Sequence, residues 1–95
     1  MAGYIIAELQ VTDPKIFEEY RGLVSPTIEK YGGQYVVRGG ESEKIEGDWT
    51  PGRLVIIRFD SVDKAKEWYY SDDYKGPMGL RHKSATTNLV IVEGV

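Results

Sequence analysis

Hydrophobic residues recur along this chain at two periods, and the switches between the periods mark out its elements. From Tyr4 to Val11 they alternate, with Ile5, Ala7, Leu9 and Val11 on one face and Tyr4, Ile6, Glu8 and Gln10 on the other. This is a strand with one wholly apolar face and one mixed face. Asp13-Pro14 then begins a helix, the carboxylate accepting from free amides and the proline supplying a preset φ at the first helical position. Ile16, Phe17, Tyr20, Val24, Ile28 and Tyr31 follow at helical spacing and predict its buried stripe. Gly32-Gly33 ends it. Ser25-Pro26 lies inside that helix, where a proline removes an amide and crowds the carbonyl of Gly22, so a kink or a restart capped by Ser25 is expected.

Gln34 to Arg38 predicts a second strand, and the pair Gly39-Gly40 is expected to bulge or bend it. Glu41 to Ile45 extends it as a candidate edge arm, before the turn-rich run Glu46-Gly47-Asp48-Trp49-Thr50-Pro51-Gly52. A third strand follows at Arg53 to Phe59, with Val55, Ile57 and Phe59 on one face and Leu54, Ile56 and Arg58 on the other. Ser61 caps a second helix through about Tyr70, and Ser71 with Asp72 and Asp73 starts a third segment that Gly76-Pro77 should make irregular. Thr86 to Val92 closes the chain as a fourth strand.

The order β, α, β, β, α with a short added helix, then β, predicts an α+β class: a ferredoxin-like βαββαβ sandwich with helices on one face of an antiparallel four-stranded sheet. Residues 1–95 form a single domain, with no repeat or linker. The second face of the sheet then carries Tyr4, Ile6, Leu54, Ile56, Val90 and Val92, an apolar patch that calls for a partner. A twin stacked by a twofold axis is the simplest one. The small size of the chain, 95 residues, favours the same answer, since a lone domain of that length leaves much apolar surface in water.

Composition narrows the function classes. With 41% hydrophobic and 28% charged residues the chain is an ordinary globular one, apart from its seven tyrosines and two tryptophans, which suit interfaces and pockets as well as cores. A net charge of −3 with no basic block argues against nucleic acid. No cysteine is present, which excludes disulfides, thiolate nucleophiles and sulfur-ligated metals. No apolar run approaches the roughly 20 residues of a membrane helix, and no basic leader precedes the first strand, so no membrane partner and a cytoplasmic location are expected.

Several segments together match a family pattern: Tyr31-Gly32-Gly33 before a strand ending Arg38-Gly39-Gly40, then Glu46-Gly47-Asp48-Trp49 and Pro51 ahead of Arg53, then Ala65, Trp68, Ser71, Tyr74 and Arg81, and finally Glu93-Gly94. In these the chain resembles the family catalogued as domain of unknown function 1330, within the dimeric α+β barrel group. It differs in small ways, with Gln34 where a basic residue is usual. The resemblance covers nearly the whole chain and implies a ferredoxin-like protomer whose sheet stacks on that of a second copy. It implies no particular activity, because the wider group spans cofactor-free monooxygenases of aromatic polyketides, muconolactone isomerases, chlorite dismutases, haem-degrading enzymes and stress-related proteins.

The candidate chemistry is sparse. His82 is the only histidine and hence the candidate general base, although in Leu80-Arg81-His82-Lys83 it also suits a solvated helix end. Arg81 could hold a carboxylate or enolate among Trp68 and Tyr74; its structural alternative is an ion pair with Glu46 or Asp73. Tyr20, Tyr31, Trp68 and Tyr74 come from different elements that meet under the helices, where they line a ligand pocket or simply fill the core. Glu8 and Arg58 lie on the mixed faces of neighbouring strands and are expected to pair inside the dimer interface, with Arg38 and Trp49 packing across the twofold. One histidine and scattered carboxylates provide no metal spacing, a haem would have only His82 as its ligand, and no cofactor is expected. The leading expectation is a homodimer that binds a small aromatic or carboxylate-bearing ligand between sheet and helices. The alternatives are a cofactor-independent isomerase or monooxygenase, and a ligand-free structural or interaction protein.

Overall fold

The computed structural model describes Met1–Val95 and contains β1 (Gly3–Val11), α1 (Pro14–Lys30), β2 (Gln34–Arg38), β3 (Arg53–Phe59), α2 (Val62–Tyr69), α3 (Asp72–Ser84) and β4 (Ala85–Glu93). The sheet order is β2-β3-β1-β4, with every neighbouring pair antiparallel. Each helical crossover therefore joins two parallel strands that have a third strand inserted between them, which is the ferredoxin-like arrangement.

Local chemistry sets the element ends. Asp13 Oδ1 accepts from Ile16 N at 3.2 Å, Ser61 Oγ from Lys64 N at 3.1 Å and Ser71 Oγ from Tyr74 N at 3.2 Å, so three helices begin on three side-chain caps. Helix α1 ends in a Schellman pair: Gly33 N donates to Ile28 O at 2.9 Å and Gly32 N to Glu29 O at 3.0 Å, with Gly32 at φ +78°. Gly33 is needed for space as well, because a Cβ there would lie 2.7 Å from both Ile28 and Phe59 side chains.

Neither internal proline interrupts its helix. Helix α1 runs unbroken past Pro26, and α3 continues regularly through Gly76-Pro77, where the sequence predicted irregularity. Strand β2 holds a further difference. Its register on β3 slips between Tyr35 and Val37, so Val36 is the extra residue and the bulge precedes Gly39-Gly40 instead of falling on them. Residues Glu41 to Ile45 form no strand.

The bulge has a consequence for side-chain direction. Tyr35 opposes Ile57 and Arg38 opposes Val55, both on the face covered by helices, whereas strict alternation would have put Tyr35 and Arg38 on opposite faces. On that covered face Ile5, Ala7, Leu9, Ile57 and Phe59 meet Phe17, Tyr20, Val24 and Ile28 of α1, Ala65 and Trp68 of α2, and Tyr74 of α3, all buried. The opposite face is open, with Val90 56% and Val92 44% exposed beside the half-buried Tyr4, Ile6, Leu54 and Ile56. No helix is long and apolar enough to cross a membrane.

Candidate functional site

Between α1, α3 and the sheet the core leaves a cavity of about 40 Å³. Its floor is apolar, made by Ile5, Ala7, Leu9 and Ile57, and Phe17, Tyr20, Tyr35, Trp68 and Tyr74 wall it with rings. A space of that size admits a few waters or a small ligand fragment, and anything larger requires movement of the side chains at its mouth.

The polar part of the lining is the unusual feature. Four of the chain's five arginines, Arg21, Arg38, Arg53 and Arg81, line this one cavity, and none of its seven lysines does. No Asp, Glu or His is in the lining. Arg81 is only 4% exposed, and it makes neither of the ion pairs open to it: Asp73 is taken by Lys30 Nζ at 3.0 Å and by the Tyr31 hydroxyl at 2.9 Å, and Glu46 is exposed on the β2–β3 connection and makes no ion pair with it. Its one side-chain hydrogen bond is from Nη2 to His82 Nε2 at 3.2 Å. Buried, hydrogen-capable Nε atoms without an acceptor occur at Arg21, Arg53 and Arg81, and the chain's single other orphan of this kind is Thr87 Oγ1. Buried donors of a charged group are normally paired, so three orphans around one cavity mark a place where an acceptor belongs.

Each arginine is held by its own neighbours. Arg38 stacks over the Tyr35 ring with Cζ 4.5 Å from the centroid and donates from Nη2 to Ser25 Oγ at 3.1 Å. Arg53 lies over Phe17 at 5.6 Å and against Gly39, where a Cβ would overlap its guanidinium. Gly39 is at φ +70°, a conformation that favours glycine, and a larger residue would also have to displace the Arg53 guanidinium. Burial, and then the repulsion of Arg21 and Arg38, push the Arg53 guanidinium below its ordinary value. Arg21 alone has a carboxylate, Glu18 at 3.2 Å.

The inner wall contains two phenols. Tyr20 and Tyr74 share a hydrogen bond of 3.0 Å between their hydroxyls, and the Trp68 ring lies 4.1 Å from that of Tyr74 with its Nε1 donating to Thr27 Oγ1 at 2.9 Å. Burial pushes both phenols up, the Tyr20 value further through the neighbouring Tyr74. They remain protonated donors at any ordinary pH. The lining can therefore hold and stabilise an anion, but it contains no group that accepts a proton near neutrality.

Two residues expected in the pocket lie elsewhere. Tyr31 turns outward, its hydroxyl bound to Asp73 at the junction of α1 and α3, and it is not in the cavity lining. His82 is exposed and reaches the site only through its contact with Arg81. Tyr20, Trp68, Tyr74 and Arg81 are brought together as lining residues.

A family model described as Domain of unknown function (DUF1330) matches residues 2–95. The chain belongs to that family. No curated protein matches it. Among solved structures, the RPA0582 protein of unknown function from Rhodopseudomonas palustris aligns at TM-score 0.78 and 16% identity, covering 99% of this chain and 82% of its own. SnoaB, a cofactor-independent oxygenase from Streptomyces nogalater, aligns at TM-score 0.71 and 10% identity over 99% of this chain and 93% of its own. A dimeric protein of unknown function and ferredoxin-like fold from Bacteroides fragilis aligns at 0.65 and 10% identity, covering 98% and 96%. At these identities the likeness is one of fold.

The open face of this DUF1330 chain is organised around Glu8. Its Oε2 accepts from Gly52 N at 3.0 Å, Trp49 Nε1 at 3.3 Å and Gln10 Nε2 at 3.4 Å, and its Oε1 accepts from Asn88 Nδ2 at 3.0 Å. These donors, the Gly52 amide foremost, hold its carboxyl below the usual range. The expected Glu8–Arg58 pair does not form. Register sets Glu8 opposite Leu54 and Tyr4 opposite Arg58, which separates the two charges by about 13 Å along β3. Arg58 instead lies 3.8 Å from Asp60. Arg38, assigned from the sequence to the interface face, is carried to the cavity side by the bulge.

Arg21, Arg53 and Tyr35 are lining residues that sequence reasoning missed. A signal existed for two of them. Arg53 shares the parity of Val55 and Ile57, which puts it on the helix-covered face, and Arg21 follows Phe17 by one helical turn.

Proposed function

We propose that this DUF1330 chain is a homodimer that binds a small carboxylate-bearing ligand, compatible with an aromatic or flat aliphatic body, in the arginine-lined cavity between sheet and helices. The observation that carries the reading is Arg81: a guanidinium 4% exposed, with no carboxylate partner and an Nε that has no acceptor. Such a charge is costly to bury alone, and a ligand carboxylate would supply the missing pair in bidentate form. Of the two phenols beside it, one donates to the other, and the second would have its O–H free for the same anion.

Dimerisation is supported by the exposed apolar face around Val90 and Val92 and by the dimeric ferredoxin-like protein of similar fold. Trp49, 60% exposed and tethered to Glu8, stands at that face as the anchor that would pack on the twin. Sedimentation at micromolar concentration is expected to give a dimer; a stable monomer would remove this part of the reading.

An enzyme working without a cofactor, an isomerase or oxygenase, is the second reading. Arg81 next to the Tyr20–Tyr74 hydroxyl pair is suited to stabilising an enolate, and one protein of similar fold is a cofactor-independent oxygenase. With no base in the lining, a substrate would have to ionise readily by itself. The binding reading is tested by thermal denaturation with millimolar benzoate or butyrate. Wild type should gain several degrees and Arg81→Gln none; equal behaviour of the two proteins would refute it.

A further inference from the structure

We infer that the natural ligand is a dicarboxylic acid, with one carboxylate on Arg81 at the inner end and the second at the mouth among Arg21, Arg38 and Arg53. This rests on the binding reading above and names its substrate class. The arginines fall into two groups: Arg81 is buried beside Tyr20 and Tyr74, whereas Arg38 is exposed and Arg21 and Arg53 are half-buried, associated with the rings of Tyr35 and Phe17.

A single carboxylate on Arg81 leaves the mouth group as it is. There, three like charges crowd one another, Arg53 being depressed by burial and by both neighbours, with Glu18 as the one carboxylate in contact. The Nε atoms of Arg21 and Arg53 still lack acceptors. A chain with a net charge of −3 has ample carboxylates to neutralise such a cluster, and its ion pairs elsewhere show it doing so at Lys30, Lys64 and Lys75. Leaving the mouth cationic is the arrangement of a site that receives its anion from outside. The exclusive use of arginine points to planar, two-pronged acceptors, and the floor between the groups is apolar, so it suits a short hydrocarbon body once the side chains at the mouth move to widen the cavity of about 40 Å³.

The experiment is calorimetric titration at low salt with two matched pairs, butyrate against glutarate and benzoate against isophthalate. In wild type the dianion of at least one pair should bind about tenfold more tightly than its monoanion. Arg53→Met and Arg38→Met should abolish that gain, bringing the dianion down to the affinity of its matched monoanion in the same variant, and should raise the melting temperature of the ligand-free protein by relieving repulsion. Arg81→Gln should weaken both members of each pair. Equal binding of mono- and dianion to wild type, or a gain that survives Arg53→Met, overturns the inference and leaves the binding reading standing. No binding of any of the four acids overturns both. Circular dichroism of each variant confirms that a lost gain is not a lost fold.

Discussion

The two faces of the sheet each hold charge close to apolar surface, and they treat it in opposite ways. On the open face Glu8 receives four hydrogen bonds, from Gly52, Trp49, Gln10 and Asn88, and its carboxyl is stabilised in the charged form. On the covered face Arg81, Arg53 and Arg21 keep buried Nε atoms without acceptors, and burial and the neighbouring Arg21 and Arg38 destabilise the charge of Arg53. A charge whose valences are filled by its own chain is part of the architecture. One left unfilled in a cavity is the observation on which the proposed binding site rests, and the difference can be seen only by accounting for each donor and acceptor.

The largest effect expected from this contrast is in stability. Trp68→Ala empties a site that is 1% exposed and packed on Tyr74 and Phe59, and should cost about 3–5 kcal/mol by urea unfolding. Val90→Ala, on the open face, should cost well under about 1 kcal/mol in a monomer; a larger loss that depends on protein concentration would show that a twin covers this face. Next in size is assembly itself. Val90→Glu sets a charge in the middle of the open apolar patch, and should convert a dimer to monomer by sedimentation with the fold retained.

A smaller effect is expected with pH. Because the folded-state value of Glu8 is depressed, its contribution is present above the ordinary glutamate value of 4.5 and disappears as pH falls through the lowered one. Wild type should therefore lose stability below about pH 4.5 more steeply than Glu8→Gln, measured by thermal melts from pH 7 to pH 3. Parallel profiles would mean that the Trp49 loop is held by packing rather than by this carboxylate.

Most of the fold was legible because its signals are local. Alternation in Tyr4–Val11 and Arg53–Phe59, the caps at Asp13, Ser61 and Ser71, and the stop at Gly32-Gly33 each depend on residues a few positions apart. The restart expected at Ser25-Pro26 and the break in regularity expected at Gly76-Pro77 do not occur, because the buried stripes of α1 and α3 outweigh the missing amides. The site was less legible for a similar reason. One bulged residue, Val36, decides which face Arg38 occupies, and the four-residue offset between Leu54 and Arg58 decides whether Glu8 has a cation; neither is written in any short motif. Tyr31 fits the helical stripe, yet its hydroxyl is drawn outward by Asp73, a residue 42 positions away. Arg53 was readable from parity alone, which shows that a charged residue in phase with a buried face should be counted as a site candidate.

The central claim is that the orphaned guanidiniums form the ligand site, and the chain contains its own control. Arg58 is the one arginine off the cavity, exposed and near Asp60. The direct measurement is a nitrogen-resolved NMR titration of the five arginine Nε–H signals with glutarate. Saturable shifts at Arg21, Arg53 and Arg81, with Arg58 and the Trp49 indole unmoved, are the predicted result. Uniform shifts across all five arginines, or shifts confined to Arg58 and Trp49, would contradict the account.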